Sequence, residues 1–292
     1  MAGLPDTTFG RDTSVRRLGE GRYEADLSDL WNLRPLPQGG IVTAVTLRAM
    51  AEELGDPDQR LRGLHTSFVG QVAHGSLELT VETLRRGRSM SHVRGEVRTP
   101  GAGSGHVTTA AFGAPRRGFS FMDLEPPDAP PPGDCRSYRD PPPDGVPRFE
   151  PMPFWDRCVE GRGVLGHAPW EDYEPGRAET VQWFGFDEPP LGDEGTLDPF
   201  ALVVLADVMP GAVAEKMGPE HRSGWFGPSV DLTVHLLEDC RSGWLLAHNR
   251  ARFAGDGYAS AEMVLWDRGA SGTEPARLVA YATQVFLFTF LD

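Results

Sequence analysis

The sequence contains few cysteines and no long apolar run. Its three cysteines, Cys135, Cys158 and Cys240, are odd in number and form no C-x-x-C pair, so we expect neither a disulfide framework nor a thiolate zinc site. No stretch approaches the ~20 consecutive apolar residues that a membrane-spanning helix needs. The first twenty residues also lack the apolar core of a secretory signal. These absences predict a cytoplasmic protein without a membrane span.

Positive charge is scarce as well. The 292 residues include 28 Lys and Arg against 42 Asp and Glu, which gives a net charge of -14. Such a surface repels a polyphosphate backbone, so no nucleic-acid partner is expected. Hydrophobic residues at 39% and charged residues at 24% are typical of a soluble globular chain. The length fits one large domain or two of about 145 residues.

Proline divides the chain near its middle. Residues 125–132 and 140–144 contain proline runs that no helix or central strand can hold. We therefore predict that residues 117–147 connect an N-terminal half, residues 1–116, to a C-terminal half, residues 148–292. A connection of this length is expected to run over the surface of one half.

The order of predicted elements is the same on both sides of this connection, at an offset of roughly 160 to 170 residues. In the first half a strand region (14–29) precedes a helix over Gly39–Leu54 and strands near 61–69, 76–84, 90–98 and 106–112. In the second half strands near 148–160 and 179–187 precede a helix that opens at Asp198-Pro199, and strands follow near 229–236, 244–253, 258–266 and 278–288. One helix followed by four alternating strands predicts an α+β unit whose antiparallel sheet buries one face against the helix.

Asp207 is the first of three polar residues in apolar surroundings. It follows seven apolar residues, and Pro210 should end or kink the helix three residues later. Burying an unpaired charge is costly, so the carboxylate needs a partner. Either it bonds the frayed backbone at the kink or it serves a function.

The other two polar positions lie in predicted strands. Over residues 229–236, strict alternation predicts that Ser229, Asp231, Thr233 and His235 share one face, opposite Val230, Leu232, Val234 and Leu236. A polar face is commonly the solvated one. Gln284 lies in a strand apolar enough to be central, where its amide is either a satisfied core group or part of a site.

Several motifs resemble the acyl-CoA thioesterase II family. In the first half they are Pro37-Gln-Gly-Gly at the helix start, Leu64-His-Thr-Ser-Phe, and Leu84-Arg-Arg-Gly-Arg-Ser-Met-Ser-His-Val. In the second half they are Leu205-Ala-Asp-Val-Met-Pro, Ser229-Val-Asp-Leu-Thr and Val279-Ala-Tyr-Ala-Thr-Gln. Their order and spacing hold along almost the whole chain.

This resemblance implies an α+β double hotdog: two tandem repeats, each a long helix wrapped by an antiparallel sheet, packed so that the sheets run on. It implies an acyl-CoA thioesterase that needs no metal or cofactor, an activity that fits fatty acid metabolism. Asp207, Ser229 and Gln284 would surround one water in the C-terminal repeat, with Asp207 as general base. The thiol carrier is either coenzyme A or an acyl carrier protein, and two such chains are expected to pair as a homodimer.

The sequence departs from the commonest family pattern at two places. Ser229 stands where threonine is frequent, which keeps the hydroxyl but leaves its rotamer less restricted. Val285-Phe286 stands where a Glu-Gly pair often follows the glutamine. In the first half the positions that match Asp207 and Gln284 fall near Thr46 and Ala111, so no second catalytic set is predicted there.

Substrate-binding candidates come from two motifs. Gly39 and Gly40 allow a backbone at a helix start to approach a ligand closely and to offer N–H groups to an oxyanion. Arg85, Arg86 and Arg88 either meet the phosphates of coenzyme A or form a solvated turn.

Two alternatives share the expected fold. A hotdog hydratase or dehydratase of acyl thioesters would need a helix with a histidine and a paired acid, which the sequence lacks. A non-catalytic module would bind acyl thioesters without cleaving them. Other hydrolase classes are disfavoured, because no H-x-x-x-H, H-E-x-x-H or G-x-S-x-G string occurs.

Overall fold

The computed structural model describes residues 6–146, 152–221 and 224–291. Within these ranges the helices are α1 (Thr8–Asp12), α2 (Gly39–Leu54), α3 (Pro199–Ala206) and α4 (Gly211–Met217). The strands of the first half and the connection are β1 (Arg16–Gly19), β2 (Arg22–Leu27), β3 (Arg60–Phe68), β4 (Gly75–Arg85), β5 (Met90–Arg98), β6 (His106–Gly113) and β7 (Arg136–Ser137). Those of the second half are β8 (Val159–Leu165), β9 (Glu179–Phe186), β10 (Trp225–Phe226), β11 (Asp231–Leu236), β12 (Trp244–Gly255), β13 (Tyr258–Asp267), β14 (Arg277–Leu287) and β15 (Thr289–Phe290).

Thirteen of these strands form one antiparallel sheet. Their order is β1-β2-β4-β5-β6-β3-β11-β14-β13-β12-β9-β8-β7, while β10 and β15 pair separately. The two halves join where β3 pairs with β11, with Leu64 opposite Val234. The sheet therefore runs on from one half into the other, as the resemblance implied.

The helix starts lie where the sequence predicts them. At α2 the side chain of Gln38 accepts from the Ile41 N–H, and the helix ends at Gly55, whose φ of 59° suits glycine. At α3 the carboxylate of Asp198 accepts from the Phe200 N–H at 3.0 Å. Every residue from Phe200 to Ala206 is buried.

Helices α2 and α3 pack side by side in opposite directions. The Gln38 amide at the start of α2 donates to the carbonyl of Val204 near the end of α3 at 2.9 Å. At the other end of the pair, Arg48 of α2 bonds the Asp198 carboxylate at the start of α3 at 2.6 Å. The N-terminus of α2 therefore lies beside the C-terminal end of α3.

The proline-rich connection covers the outer face of the second half's sheet. There it packs on a small hydrophobic cluster that includes Trp183 and Trp266, and the Trp183 indole donates to the Pro130 carbonyl at 3.0 Å. Strand β7 lies within the connection and pairs with β8. The predicted end of the connection, between residues 147 and 148, lies outside the described residues.

One predicted strand is wrong in part. The strand was predicted over residues 148–160. Its first four positions, 148–151, lie outside the described residues, and Phe154–Cys158 forms a turn of π-helix. Pro153 has helical angles (φ -50°, ψ -40°), and Phe154 is buried with its ring 6.4 Å from that of Trp31. Strand β8 begins only at Val159. Among the described helices, none has the length and apolar character needed to cross a membrane.

Candidate active site

Three side chains from three elements meet at the end of α3. The Ser229 hydroxyl donates to Oδ1 of Asp207 at 3.1 Å. The amide Nε2 of Gln284 donates to the same Oδ1 and lies 2.9 Å from the Ser229 oxygen. Positions separated by 22 and 55 residues in the sequence thus form one hydrogen-bonded triangle. The structure brings together the three residues that the sequence singled out.

The local fold explains why Asp207 points out of its helix. Asp207 is the residue that caps the C-terminus of α3, with φ -95° and ψ 49°, and Pro210 separates this turn from α4. The predicted break at Pro210 is confirmed. Asn249 on β12 fixes the turn, because its amide donates to the Met209 carbonyl at 2.9 Å. The carboxylate of Asp207 bonds side chains, so the frayed-backbone interpretation does not describe it.

Burial dominates the electrostatics of this site. Asp207 is 5% exposed and Gln284 is 1% exposed. Burial raises the pKa of Asp207 from 3.8 to about 6, although the bonds from Gln284, Ser229 and the Gly40 N–H lower it. Oε1 of Gln284 is buried without a hydrogen-bond partner among the described residues. The site thus combines a poised carboxylate with an amide oxygen that can still accept a hydrogen bond.

The N-terminus of α2 faces the carboxylate. The Gly40 N–H donates to Asp207. A Cβ on Gly39 would lie 2.8 Å from Oδ2 of Asp207 and 2.6 Å from Phe68, and a Cβ on Gly40 would lie 2.7 Å from the Val203 carbonyl. Both positions therefore require glycine for close approach, and the structure brings both to the triangle of Asp207, Ser229 and Gln284.

Gln38 bonds both helices at this point, a role that was not predicted from the sequence. Its Nε2 donates to the carbonyls of Val204 and Asp207, both at 2.9 Å, while its Oε1 accepts from the Ile41 N–H at 2.9 Å. The side chain is 1% exposed. The feature of the sequence that could have indicated this role is an amide side chain directly before Gly39-Gly40.

An aromatic wall was also missed. The ring of Phe68, at the end of β3, lies against Gly39, and His106 packs edge-on against that ring at 4.7 Å. Burial lowers the pKa of His106 to about 4, so the imidazole is neutral at pH 7. Inward alternation along β3 at Leu64, Thr66 and Phe68 was the signal that could have located this wall.

The prediction for the face of Ser229 is wrong. Leu232, Val234 and Leu236 are buried as predicted, yet Ser229 faces inward with them, towards Asp207. A β-bulge lies between Ser229 and Leu232. Ser229 is opposite Phe286 whereas Thr233 is opposite Thr283, so four residue steps on one strand match three on the other.

The arginines of the β4–β5 hairpin lie away from this site. Arg86 donates to the Leu54 carbonyl at the C-terminal end of α2, while Arg85 and Arg88 flank it in the hairpin. The sixteen residues of α2 span about 24 Å, and Asp207 is at the other end. The structure therefore does not bring these arginines to the triangle.

The matching positions of the first half hold no acid. Thr46 is buried in α2, where its hydroxyl donates to the Val42 carbonyl at 3.1 Å, and Ala111 lies on β6. In the part of the chain that the structure describes, no three His, Cys, Asp or Glu side chains are grouped so as to hold a metal ion.

Comparisons with known proteins identify one family. Residues 27–113 match the family described as acyl-CoA thioesterase N-terminal domain, and residues 132–288 match the acyl-CoA thioesterase C-terminal domain. No curated protein matches the sequence significantly.

Two solved structures are similar along the whole chain. A conserved protein of unknown function with a hotdog fold from Alicyclobacillus acidocaldarius is 22% identical with a TM-score of 0.78, covering 98% of this chain and 99% of that one. The acyl-CoA thioesterase II TesB2 of Mycobacterium marinum is 22% identical with a TM-score of 0.73, covering 97% and 99%. The predicted α+β double hotdog is confirmed.

Proposed function

Since this chain belongs to the acyl-CoA thioesterase family, we propose that it hydrolyses an acyl thioester to a free acid and a thiol with water activated by Asp207. One observation carries the proposal. A buried carboxylate receives two side-chain donors on one oxygen and faces the N-terminus of a helix. General-base chemistry and stabilisation of an oxyanion need these two features side by side.

The proposed reaction begins with a water between Asp207 and Gln284. Its oxygen attacks the thioester carbonyl carbon while Asp207 takes one of its protons. The unpartnered Oε1 of Gln284 supports this position, because it can accept the water's other O–H. Ser229 donates to Asp207 and holds the carboxylate in place. The carbon–sulfur bond then breaks, and the proton on Asp207 passes to the departing sulfur.

The pKa of Asp207 suits this role. An ordinary carboxylate with a pKa near 4 is a weak base, and the efficiency of general-base catalysis rises as the pKa approaches the working pH. Burial moves the pKa of Asp207 to about 6, so the group is mostly ionised at pH 7 and more basic than usual. The leaving thiolate needs little further help, since thiols ionise near pH 8.5.

The N–H groups of Gly39 and Gly40 are proposed to meet the oxyanion. The first turn of a helix carries unpaired N–H groups and the positive end of the dipole. The backbone at this point already lies against an anionic oxygen, because a Cβ on Gly39 would be only 2.8 Å from Oδ2 of Asp207. Contact between Arg85, Arg86 or Arg88 and the phosphates of coenzyme A stays a prediction, as does pairing into a homodimer.

The test is thiol release from acyl-CoAs of short to long chain by the wild type, by Asp207→Asn and by a control, Asp239→Asn. Asp239 is an exposed aspartate paired with Arg60 at the start of β3, whereas the site lies at the other end of that strand, beside Phe68. We expect wild type and control to turn over, and folded Asp207→Asn to lose about 10²-fold or more in kcat. The wild-type kcat/KM should fall at acid pH with a midpoint near 6, the pKa of Asp207.

One result would contradict the proposed hydrolysis of acyl-CoA. If the wild type binds acyl-CoA and releases no thiol at any chain length, acyl-CoA hydrolysis is wrong and the non-catalytic binding module takes its place. The same assay with acyl carrier protein thioesters decides between the two thiol carriers.

A further inference from the structure

We propose that Asp231 is a positioning residue whose carboxylate holds the β-bulge that turns Ser229 towards Asp207. The inference rests on the proposed function of Ser229 and goes beyond it, because Asp231 touches none of the reacting groups. Asp231 lies two residues after Ser229, at the start of β11.

The first support is the register of β11 on β14. From Thr233 to Leu236 each residue is opposite one residue of β14, and Thr233 faces Thr283. Continued without interruption, this register would place Ser229 opposite Leu287. The structure instead places Ser229 opposite Phe286. One extra residue on the β11 side, at Val230 and Asp231, accounts for the difference.

The second support is the direction of the side chains. Because side chains alternate along a strand, one extra residue moves all earlier side chains to the other face. Leu232 is buried on the helix side, so an uninterrupted strand would also bury Val230 and expose Ser229. The structure has the reverse: Val230 is 38% exposed, and Ser229 bonds Asp207.

The third support is how the backbone at the bulge is satisfied. The Val285 carbonyl accepts from the Val230 N–H at 2.8 Å, while the Val285 N–H donates to Oδ1 of Asp231 at 2.7 Å. A side-chain oxygen thus accepts the hydrogen bond that a backbone carbonyl accepts in a regular ladder. On the other side, the Val230 carbonyl accepts from Phe68 of β3 at 3.0 Å.

Removal of the Asp231 carboxylate should therefore favour the uninterrupted register of β11 on β14. The Val285 N–H loses its partner at the bulge, and an unpaired N–H is costly when shielded from water. The uninterrupted register restores a backbone partner, but it turns Ser229 to the outer face and brings Val230 towards Asp207. We expect Asp231→Ala to remove the Ser229 hydroxyl from the site without changing Ser229 itself.

The test is a double-mutant cycle with Ser229→Ala, Asp231→Ala and both together, measured as kcat and KM for thiol release. Each single variant should lose roughly 10- to 100-fold in kcat, the effect expected for one hydrogen bond to a charged group. The double variant should lose no more than Ser229→Ala alone, since both changes remove the same hydroxyl. KM should change little in all three.

Two further variants separate this role from a general effect on stability. Asp231→Asn keeps a side-chain oxygen for the Val285 N–H and should recover most of the activity. Thr233→Val removes a hydrogen-bonding group from the outer face of the same strand, where Thr233 contacts His65, and should leave kcat unchanged. If Asp231→Ala does not fold, Asp231→Asn alone decides: strong loss of kcat in this folded variant overturns the proposal.

Additive losses in the double variant would also overturn it. A crystal structure of Asp231→Ala gives a readout that needs no activity, namely whether Ser229 is opposite Leu287 or still opposite Phe286. If the wild type proves inactive, the proposed function fails, and this register still decides the role of Asp231.

Discussion

The ionised form of Asp207 is held at a cost in stability. Burial raises the pKa of Asp207 from 3.8 in the unfolded chain to about 6 in the folded protein. Between these values the folded state binds the proton and the unfolded state does not, so the free energy of unfolding falls as the pH rises through this window. The full cost, roughly 3 kcal/mol for a shift of about two units, is present above pH 6.

We therefore expect Asp207→Asn to be more stable than the wild type at pH 7.5, although the proposed mechanism predicts that it has little activity. An amide fills the same space without charge, so the advantage should shrink as the pH falls and vanish near pH 4, where the wild-type carboxyl is protonated as well. Thermal unfolding at a series of pH values measures the difference in Tm. Asp239→Asn serves as the control and should show no such trend. A lower Tm for Asp207→Asn at pH 7.5 would contradict the prediction.

At the residue scale, the sequence is informative where a polar group interrupts an apolar run. Asp207 and Gln284 were identifiable in this way, because a buried charge or amide must find a partner. Gln38 and Asp231 bond backbone groups that belong to other elements, Val204 on α3 and Val285 on β14. Nothing in their local sequence indicates which backbone groups those are.

At the scale of elements, the site depends on the contact between the start of α2 and the end of α3. Gln38 makes this contact with one amide: its oxygen accepts from the Ile41 N–H of α2, and its nitrogen donates to the Val204 and Asp207 carbonyls. Gln38 therefore helps to set the distance between the Gly40 N–H and the Asp207 carboxylate.

Gln38→Glu should disturb this contact in a way that the pH profile reports. A carboxylate still accepts from the Ile41 N–H, but it cannot donate to the two carbonyls, and its charge lies close to Asp207. A like charge raises the pKa of Asp207 further, so the acid limb of kcat/KM should move up from pH 6 by about one unit. We also expect a lower Tm.

Gln59→Glu is the matched control. Gln59 is a buried amide too, bonded to Asp56 and the Gly87 carbonyl beyond the far end of α2. Its replacement should lower Tm and leave the acid limb in place. An unmoved limb in Gln38→Glu would show that Gln38 has no influence on Asp207.

Periodicity and helix caps predict elements well in this chain. Strand 90–98 and helix 39–54 have the predicted bounds, because clean alternation and a glycine in the left-handed conformation mark them. The two errors have physical causes. A buried phenylalanine after Pro153 starts a helical turn inside a predicted strand. A β-bulge at Val230 and Asp231 turns Ser229 to the face opposite the predicted one. Alternation along one strand does not indicate how that strand is aligned with its neighbour.

At the scale of the whole molecule, the repeat of element order predicted two similar halves, and the resemblance implied that their sheets are continuous. The pairing of β3 with β11 supplies that continuity. The sequence did not identify these two strands as partners, because long-range pairing depends on the packing of both halves. The connection does lie over one half, as its length predicted.

Helices α2 and α3 contact each other at two junctions, the first at the N-terminus of α2 and the second at the N-terminus of α3. The two junctions differ in their chemistry. At the first junction the end of α3 offers a carboxylate to the N–H groups of α2. At the second, Arg48 of α2 closes on Asp198 at the start of α3, and its guanidinium also lies over the ring of Phe200. The α3 N-terminus is thus occupied by the chain's own ion pair.

We therefore expect this chain, which contains two copies of the fold, to bind one substrate molecule. Calorimetric titration with a non-hydrolysable thioether analogue of acyl-CoA is expected to give one bound ligand per chain, and a stoichiometry of two would contradict this. Because the Arg48–Asp198 ion pair occupies the N-terminus of α3, no second site is expected there. We thus expect two copies of the fold to share one site.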